Sequence, residues 1–196
     1  MCQPSTLFQP LYLTVAGGGG TVTSKLAKTI IGVMRRIFQC NGMAIVGGPT
    51  GSASFNGDRT AVHRLFGILP NSFGKRIGAD KERRLKETFR NIFFLVIDKR
   101  SMISADLLGR VETTAKVVVH NVLNKKALFG GIPVIILVGD DYQLPPVDIG
   151  ASENFSNDFL KEKTITMGIT HHVLEMFKNL GENYIKLETS KRFLKG

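Results

Sequence analysis

Tryptophan is absent from this chain of 196 residues, and cysteine occurs only as Cys2 and Cys40. Two isolated cysteines make neither a zinc-ligand spacing nor a Cys-x-x-Cys redox pair. Small disulfide-stapled or metal-stapled folds are excluded, and a reducing compartment is expected. Acid is also scarce: 16 Asp and Glu stand against 26 Lys and Arg, a formal charge of +10. Such a surplus attracts polyanions, nucleic acid first among them, although a basic surface with no dedicated partner has the same composition. No apolar run approaches the ~20 residues of a membrane span, so no membrane partner is expected. The first ten residues lack the charged start and apolar body of a secretion leader. With 43% hydrophobic residues, the chain can bury one core and is not a disordered tail.

Apolar runs separated by glycine and polar stretches then order the chain. Residues 7–14 read as a short strand broken at Pro10, with glycines following at once. Residues 22–38 read as a helix, because Leu26, Ile30, Val33, Met34 and Ile37 recur at spacings of three and four. Asn41-Gly42 is expected to stop it with a left-handed turn. Residues 43–46 read as a buried strand, residues 47–57 as a small-residue loop, and residues 60–66 as a short helix. Residues 71–84 show no period and read as an exposed loop, with a short helix over 84–89. Residues 92–97 form the next strand. Ser104 caps a helix reaching about Asn124, and residues 132–138, apolar on both faces, form a central strand. Helical turns near 154–160 and 173–177 precede a last strand over 184–187. This order predicts an α/β fold with a mainly parallel sheet and helices on both faces.

Three strand ends carry the chemistry. The first runs into Gly17, Gly18, Gly19 and Gly20, followed by Thr21 and Val22. The second ends in Asp98. The third ends in Gly139-Asp140 and turns through Gln143-Leu144-Pro145-Pro146. A glycine loop and two acids at one sheet edge suit a nucleotide-phosphate site. A working phosphate loop reads G-x-x-x-x-G-K-[ST], its lysine serving the β- and γ-phosphates and its hydroxyl a magnesium ion. In that frame Val15 takes the first glycine, Thr21 the lysine and Val22 the hydroxyl. Sliding the frame by two sets Thr23 and Ser24 in the last two places and still supplies no lysine. Asp98 suits a magnesium-binding carboxylate, but the neighbour that would orient the attacking water is Lys99, which is no general base at neutral pH. Alternation along a strand would turn Lys99 away from Asp98. Losing one preorganised donor costs roughly 3–4 kcal/mol in enzymes of another class, and a missing full charge is expected to cost at least that.

Taken in order, these blocks resemble the first motor domain of the Pif1-like, superfamily 1 DNA helicases over about residues 7–195. The matching pieces include Gly48-Pro49-Thr50-Gly51-Ser52-Ala53, residues 57–66, Leu95 to Ile103, Phe129 to Pro133, Gly139 to Val147, and Leu187 to Arg192. The resemblance implies a RecA-like P-loop NTPase fold, with residues 1–196 as one incomplete motor domain and the second motor domain missing. It implies ATP and Mg²⁺ as cofactors and 5′–3′ unwinding in DNA repair, recombination and telomere maintenance. It also implies single-stranded DNA as partner, and the nucleus or another DNA-containing compartment as location. Gly17, Gly18, Gly19, Gly20, Thr21, Val22 and Asp140 would line the nucleotide. Asp98 would hold the metal, Gln143 would sense the γ-phosphate, and Arg192 would touch a phosphate. Pro49, Thr50, His63 and Phe66 would lie on or near the DNA track, Phe66 being more readily a core residue. Because Val15, Thr21, Val22 and Lys99 each replace part of the hydrolytic machinery, cofactor binding is in doubt and turnover is expected to be lost. A nucleic-acid-binding module without nucleotide use, and an unrelated small phosphate-binding protein, remain open alternatives.

Overall fold

The computed structural model describes residues 10–18, 23–49, 60–68, 77–119, 127–140, 143–144 and 183–188. Its sheet comprises β1 (Leu11–Gly17), β2 (Ala44–Gly48), β3 (Thr60–Ala61), β4 (Phe94–Asp98), β5 (Val134–Gly139) and β6 (Tyr184–Leu187). The helices are α1 (Thr23–Phe38), α2 (Val62–Leu65), α3 (Ala79–Thr88) and α4 (Ala105–Val118). The strands lie in the order β3-β2-β4-β5-β1-β6, and every pairing is parallel.

Alternation along the strands sorts side chains onto two faces. On one face Tyr12, Leu95, Ile97, Ile135 and Leu137 pack with Val62 and Phe66 beside α2, Leu85 of α3, and Leu108 and Val111 of α4. On the other, Val15, Val96, Ile136 and Val138 pack against Ala27 and Ile31 of α1. The sheet is therefore covered on both sides, which is the α/β architecture that the apolar runs over 132–138 and 92–97 predict.

Several boundaries differ from the sequence reading. β1 continues through Val15 and Ala16 to Gly17, because β5 pairs it as far as Ala16 and β6 pairs Gly17 with Leu187. Gly17 is thus a strand residue and not part of the turn. The left-handed residue after α1 is Gln39 (φ 51°), whereas Asn41-Gly42 opens a 3-10 turn leading into β2. Thr60–Ala61 pairs with β2 before the chain turns helical at Val62. The stretch 71–84, expected to be a loop, contains the start of α3. That helix rests on local charge pairs, Arg83–Asp80 at 3.0 Å and Lys86–Glu82 at 2.5 Å. Its one buried side chain is Leu85, so it shows little apolar period. Lys81 fastens α3 to the turn after α2 by donating to the Gly67 carbonyl at 2.6 Å. α4 starts as expected, with the Leu107 N–H donating to Ser104 Oγ at 3.2 Å. It ends at Val118, since Val119 is already extended. The strand at Leu7-Phe8 and the helical turns near 154–160 and 173–177 fall outside the described residues.

Candidate nucleotide-binding edge

The register brings the chemistry-bearing ends together. Val138 of β5 is flanked by Asp98 on β4 and by Val15 on β1, and Gly139 pairs with Ala16. At a strand spacing of about 4.8 Å, the backbones of Asp98 and Val15 lie roughly 10 Å apart, with β5 between them. Asp98, Asp140, Gly17 and Gly18 therefore sit along one edge. By alternation Asp98 shares with Val15 and Val138 the face that α1 covers. Asp98 is 1% exposed and Asp140 6% exposed, and both have partners within the chain, as buried carboxylates must.

Gln143 follows in a turn closed by its own N–H, which donates to the Asp140 carbonyl at 3.1 Å. Its side chain is exposed. Gly19, Gly20, Thr21, Val22, Thr50 and Arg192 lie outside the described residues. Pro49 is half-buried just past the end of β2, on the far side of β4 from the glycines, and His63 is half-buried in α2. Phe66 is 0% exposed and stacks on Phe89 with ring centroids 4.8 Å apart. Its faces are spent in the core, which removes it from the set of base-stacking residues.

Lys99 does not follow strand alternation. It adopts the left-handed conformation (φ 57°, ψ 52°) and opens a 3-10 turn over Arg100–Met102. The Met102 N–H donates to the Lys99 carbonyl, and the Ile103 N–H to the Arg100 carbonyl, each at 3.0 Å. A β-turn of this kind detaches Lys99 from the pleat, so parity along the strand no longer sets its direction. Left-handed backbone is uncommon outside glycine and asparagine and marks sites where local conformation is over-determined. Lys99 has no ion-pair partner among the described residues.

Arg100 was not legible as a site residue. It is 7% exposed, and its guanidinium carbon lies 5.7 Å from the centre of the Tyr184 ring on β6. To get there it crosses the sheet face that holds Tyr12 and Leu137. Gly139 lies on that face, and a Cβ there would meet the Arg100 backbone nitrogen at 2.7 Å and its Cγ at 3.0 Å. The small pair Gly139 and Ala16 thus leaves room for an arginine strap from the Asp98 turn to β6. The only hint in the sequence is a glycine closing an otherwise bulky strand.

Deeper on the same face, Tyr12 donates to the Leu128 carbonyl at 3.3 Å. Burial, with the Glu112 carboxylate adding to it, pushes its phenol up to about 12. This group is structural, since it lies in the core below the edge.

Asp98 offers a carboxylate at this edge and Lys99 follows it; Thr21 and Val22, which take the lysine and hydroxyl places of the phosphate-loop pattern, lie outside the described residues. Among the described residues no group of three or more His, Cys, Asp or Glu could hold a metal elsewhere, and no helix is long and apolar enough to cross a membrane.

Comparison with known proteins places this edge in a family. A model of the PIF1-like helicase matches residues 6–193. The chain is 33% identical over 138 residues to the ATP-dependent DNA helicase PIF1 of Saccharomyces cerevisiae, covering 67% of this chain and 15% of that protein. It superposes on Bacteroides sp Pif1 in complex with ADP-AlF4 with a TM-score of 0.64 at 25% identity, covering 94% of this chain and 40% of that one. Against Bacteroides Pif1 in complex with ADP-AlF3 and ssDNA the TM-score is 0.64 at 23% identity, over 97% of this chain and 41% of that one. The chain therefore spans less than half the length of each of these relatives. With nearly all of its sequence inside the family match and the acid-bearing strand ends gathered beside β1, the chain belongs to the PIF1-like helicase family.

Proposed function

We propose that this chain is a first motor domain of the PIF1-like type that holds single-stranded DNA and has lost ATP turnover of its own. The observation that carries the loss is Lys99. It occupies a left-handed turn directly after the buried Asp98, where hydrolysis calls for a base. Thr21 and Val22 deepen the loss, because the loop then lacks both its ammonium and its metal-binding hydroxyl. Asp98 and Gln143 keep their places in the sequence pattern. Gly18, Gly19, Gly20 and Asp140 would form the nucleotide wall, and Arg192 would reach a phosphate from outside it. Unwinding in repair or recombination, within a DNA-containing compartment, would need a second motor domain to close over the nucleotide.

The DNA-holding role rests on the +10 charge, on Pro49 and His63 beside the β2 end, and on Thr50 following Pro49 in the sequence. The solved Bacteroides relative was captured with ssDNA, which supports the same role here. Fluorescence anisotropy with a labelled single-stranded oligonucleotide tests it. Binding should weaken steadily as salt rises, in proportion to the phosphates neutralised. Absence of binding at low salt would reject the role.

A further inference from the structure

We propose that the outer flank of α1 docks an acidic amphipathic helix of a protein partner. Two apolar stripes run along α1. Ala27, Ile31, Met34 and Phe38 recur at spacings of four, three and four. Ala27 and Ile31 are buried on the sheet, and Phe38 stacks on Phe93 with ring centroids 6.3 Å apart. Leu26, Ile30, Val33 and Ile37 repeat the same spacing about 100° round the helix. Leu26 and Ile30 are half-buried, but Val33 is 46% and Ile37 63% exposed. A single exposed aliphatic side chain is ordinary. A second stripe in register is the kind of seam by which one helix packs on another. The surface is also held in place: Arg35 donates to the Ala44 carbonyl at 2.8 Å and fastens the last turns of α1 to the start of β2.

Charge specifies the chemistry of the partner. No Asp or Glu occurs before Asp58, whereas α1 carries Lys25, Lys28, Arg35 and Arg36. Lys25 and Arg36 are exposed on the crest beside the second stripe, and neither has an ion-pair partner among the described residues. A helix bringing Asp or Glu alongside its own apolar stripe would meet only cations here. Nucleic acid would also answer the charge, but Val33 and Ile37 offer it neither a cation nor a ring to stack on.

Fluorescence anisotropy on the full chain tests this with a labelled helical peptide bearing leucine at its a and d positions and glutamate at e and g. A second peptide has lysine in place of each glutamate. The parent should bind the glutamate peptide at least about tenfold more tightly than the lysine peptide, and the preference should shrink as salt rises. Val33→Ala combined with Ile37→Ala keeps a good helix former at both places and should weaken binding of the glutamate peptide about tenfold or more. Arg36→Glu should narrow the preference between the peptides. Equal binding of the two peptides, no binding of the glutamate peptide at low salt, or unchanged affinity in the double variant would overturn the proposal. Weakened oligonucleotide binding in that double variant would also overturn it, because the flank would then serve nucleic acid.

Discussion

Replacing Gly139 with alanine perturbs the point where the fold and the edge depend on each other. The new methyl would sit 2.7 Å from the Arg100 backbone nitrogen and 3.0 Å from Arg100 Cγ. The backbone nitrogen cannot retreat freely. It belongs to a turn fixed by the Met102 and Ile103 hydrogen bonds, and Asp98, two residues before it at the end of β4, is held in register by Val138. Arg100 Cγ has little freedom either, because the side chain is buried and reaches the Tyr184 ring. Overpacking at such a site costs about 1–3 kcal/mol. The restricted unfolded chain returns about 0.4–1 kcal/mol. The net expectation is a loss of about 1–2 kcal/mol, a drop of roughly 2–8 °C in Tm for a chain of this size. Urea unfolding measures it. Gly32→Ala in α1 serves as a control of opposite sign, since nothing lies within 4 Å of its added Cβ and a helix interior favours alanine by up to about 1 kcal/mol. A Gly139→Ala protein as stable as the parent would refute the close approach of Arg100 to β5, and with it the strap.

Other expectations follow from the same geometry. Gly130→Ala should destabilise by at least about 2 kcal/mol in urea unfolding, because Gly130 has φ +65° and an added Cβ would meet the Ala115 carbonyl oxygen at 2.6 Å. Ser104→Ala should cost about 1 kcal/mol by removing the cap of α4. The Tyr12 phenol is raised to about 12 from 10.0, so the unfolded chain releases this proton first as pH rises. Its stabilising contribution is complete below pH 10 and is lost between about 10 and 12. Tyr12→Phe should flatten that part of the stability–pH curve, and an unchanged slope would count against the buried phenol.

Legibility followed how locally each feature is determined. Val134 to Val138 declares a central strand by itself, since both faces are apolar, and Ser104 announces a helix start through a bond three residues long. The alignment of the β4 and β5 ends could be anticipated because each carries an acid directly after its apolar run. α3 escapes a sequence reading because Asp80, Glu82, Arg83 and Lys86 stabilise it by charge pairing and leave only Leu85 buried, so hydrophobic period carries little signal. The end of β1 lies beyond its sequence signal because Gly17 looks like turn but is held by β6, more than 160 residues away in the chain. Alternation sets Lys99 in the pleat because it takes no account of a left-handed residue. The Arg100 strap depends on Gly139 and Tyr184 at once, a long-range coincidence that no local pattern announces. Phe66 was legible as a core candidate, and its stacking on Phe89 decides against a base-stacking role.

The central claim is that the PIF1-like scaffold is kept while its hydrolytic groups are lost. Phosphate release from ATP, measured with magnesium and single-stranded DNA for the parent chain, tests it most directly. The account predicts no DNA-stimulated hydrolysis by the parent. DNA-stimulated turnover with Thr21, Val22 and Lys99 unchanged would contradict it.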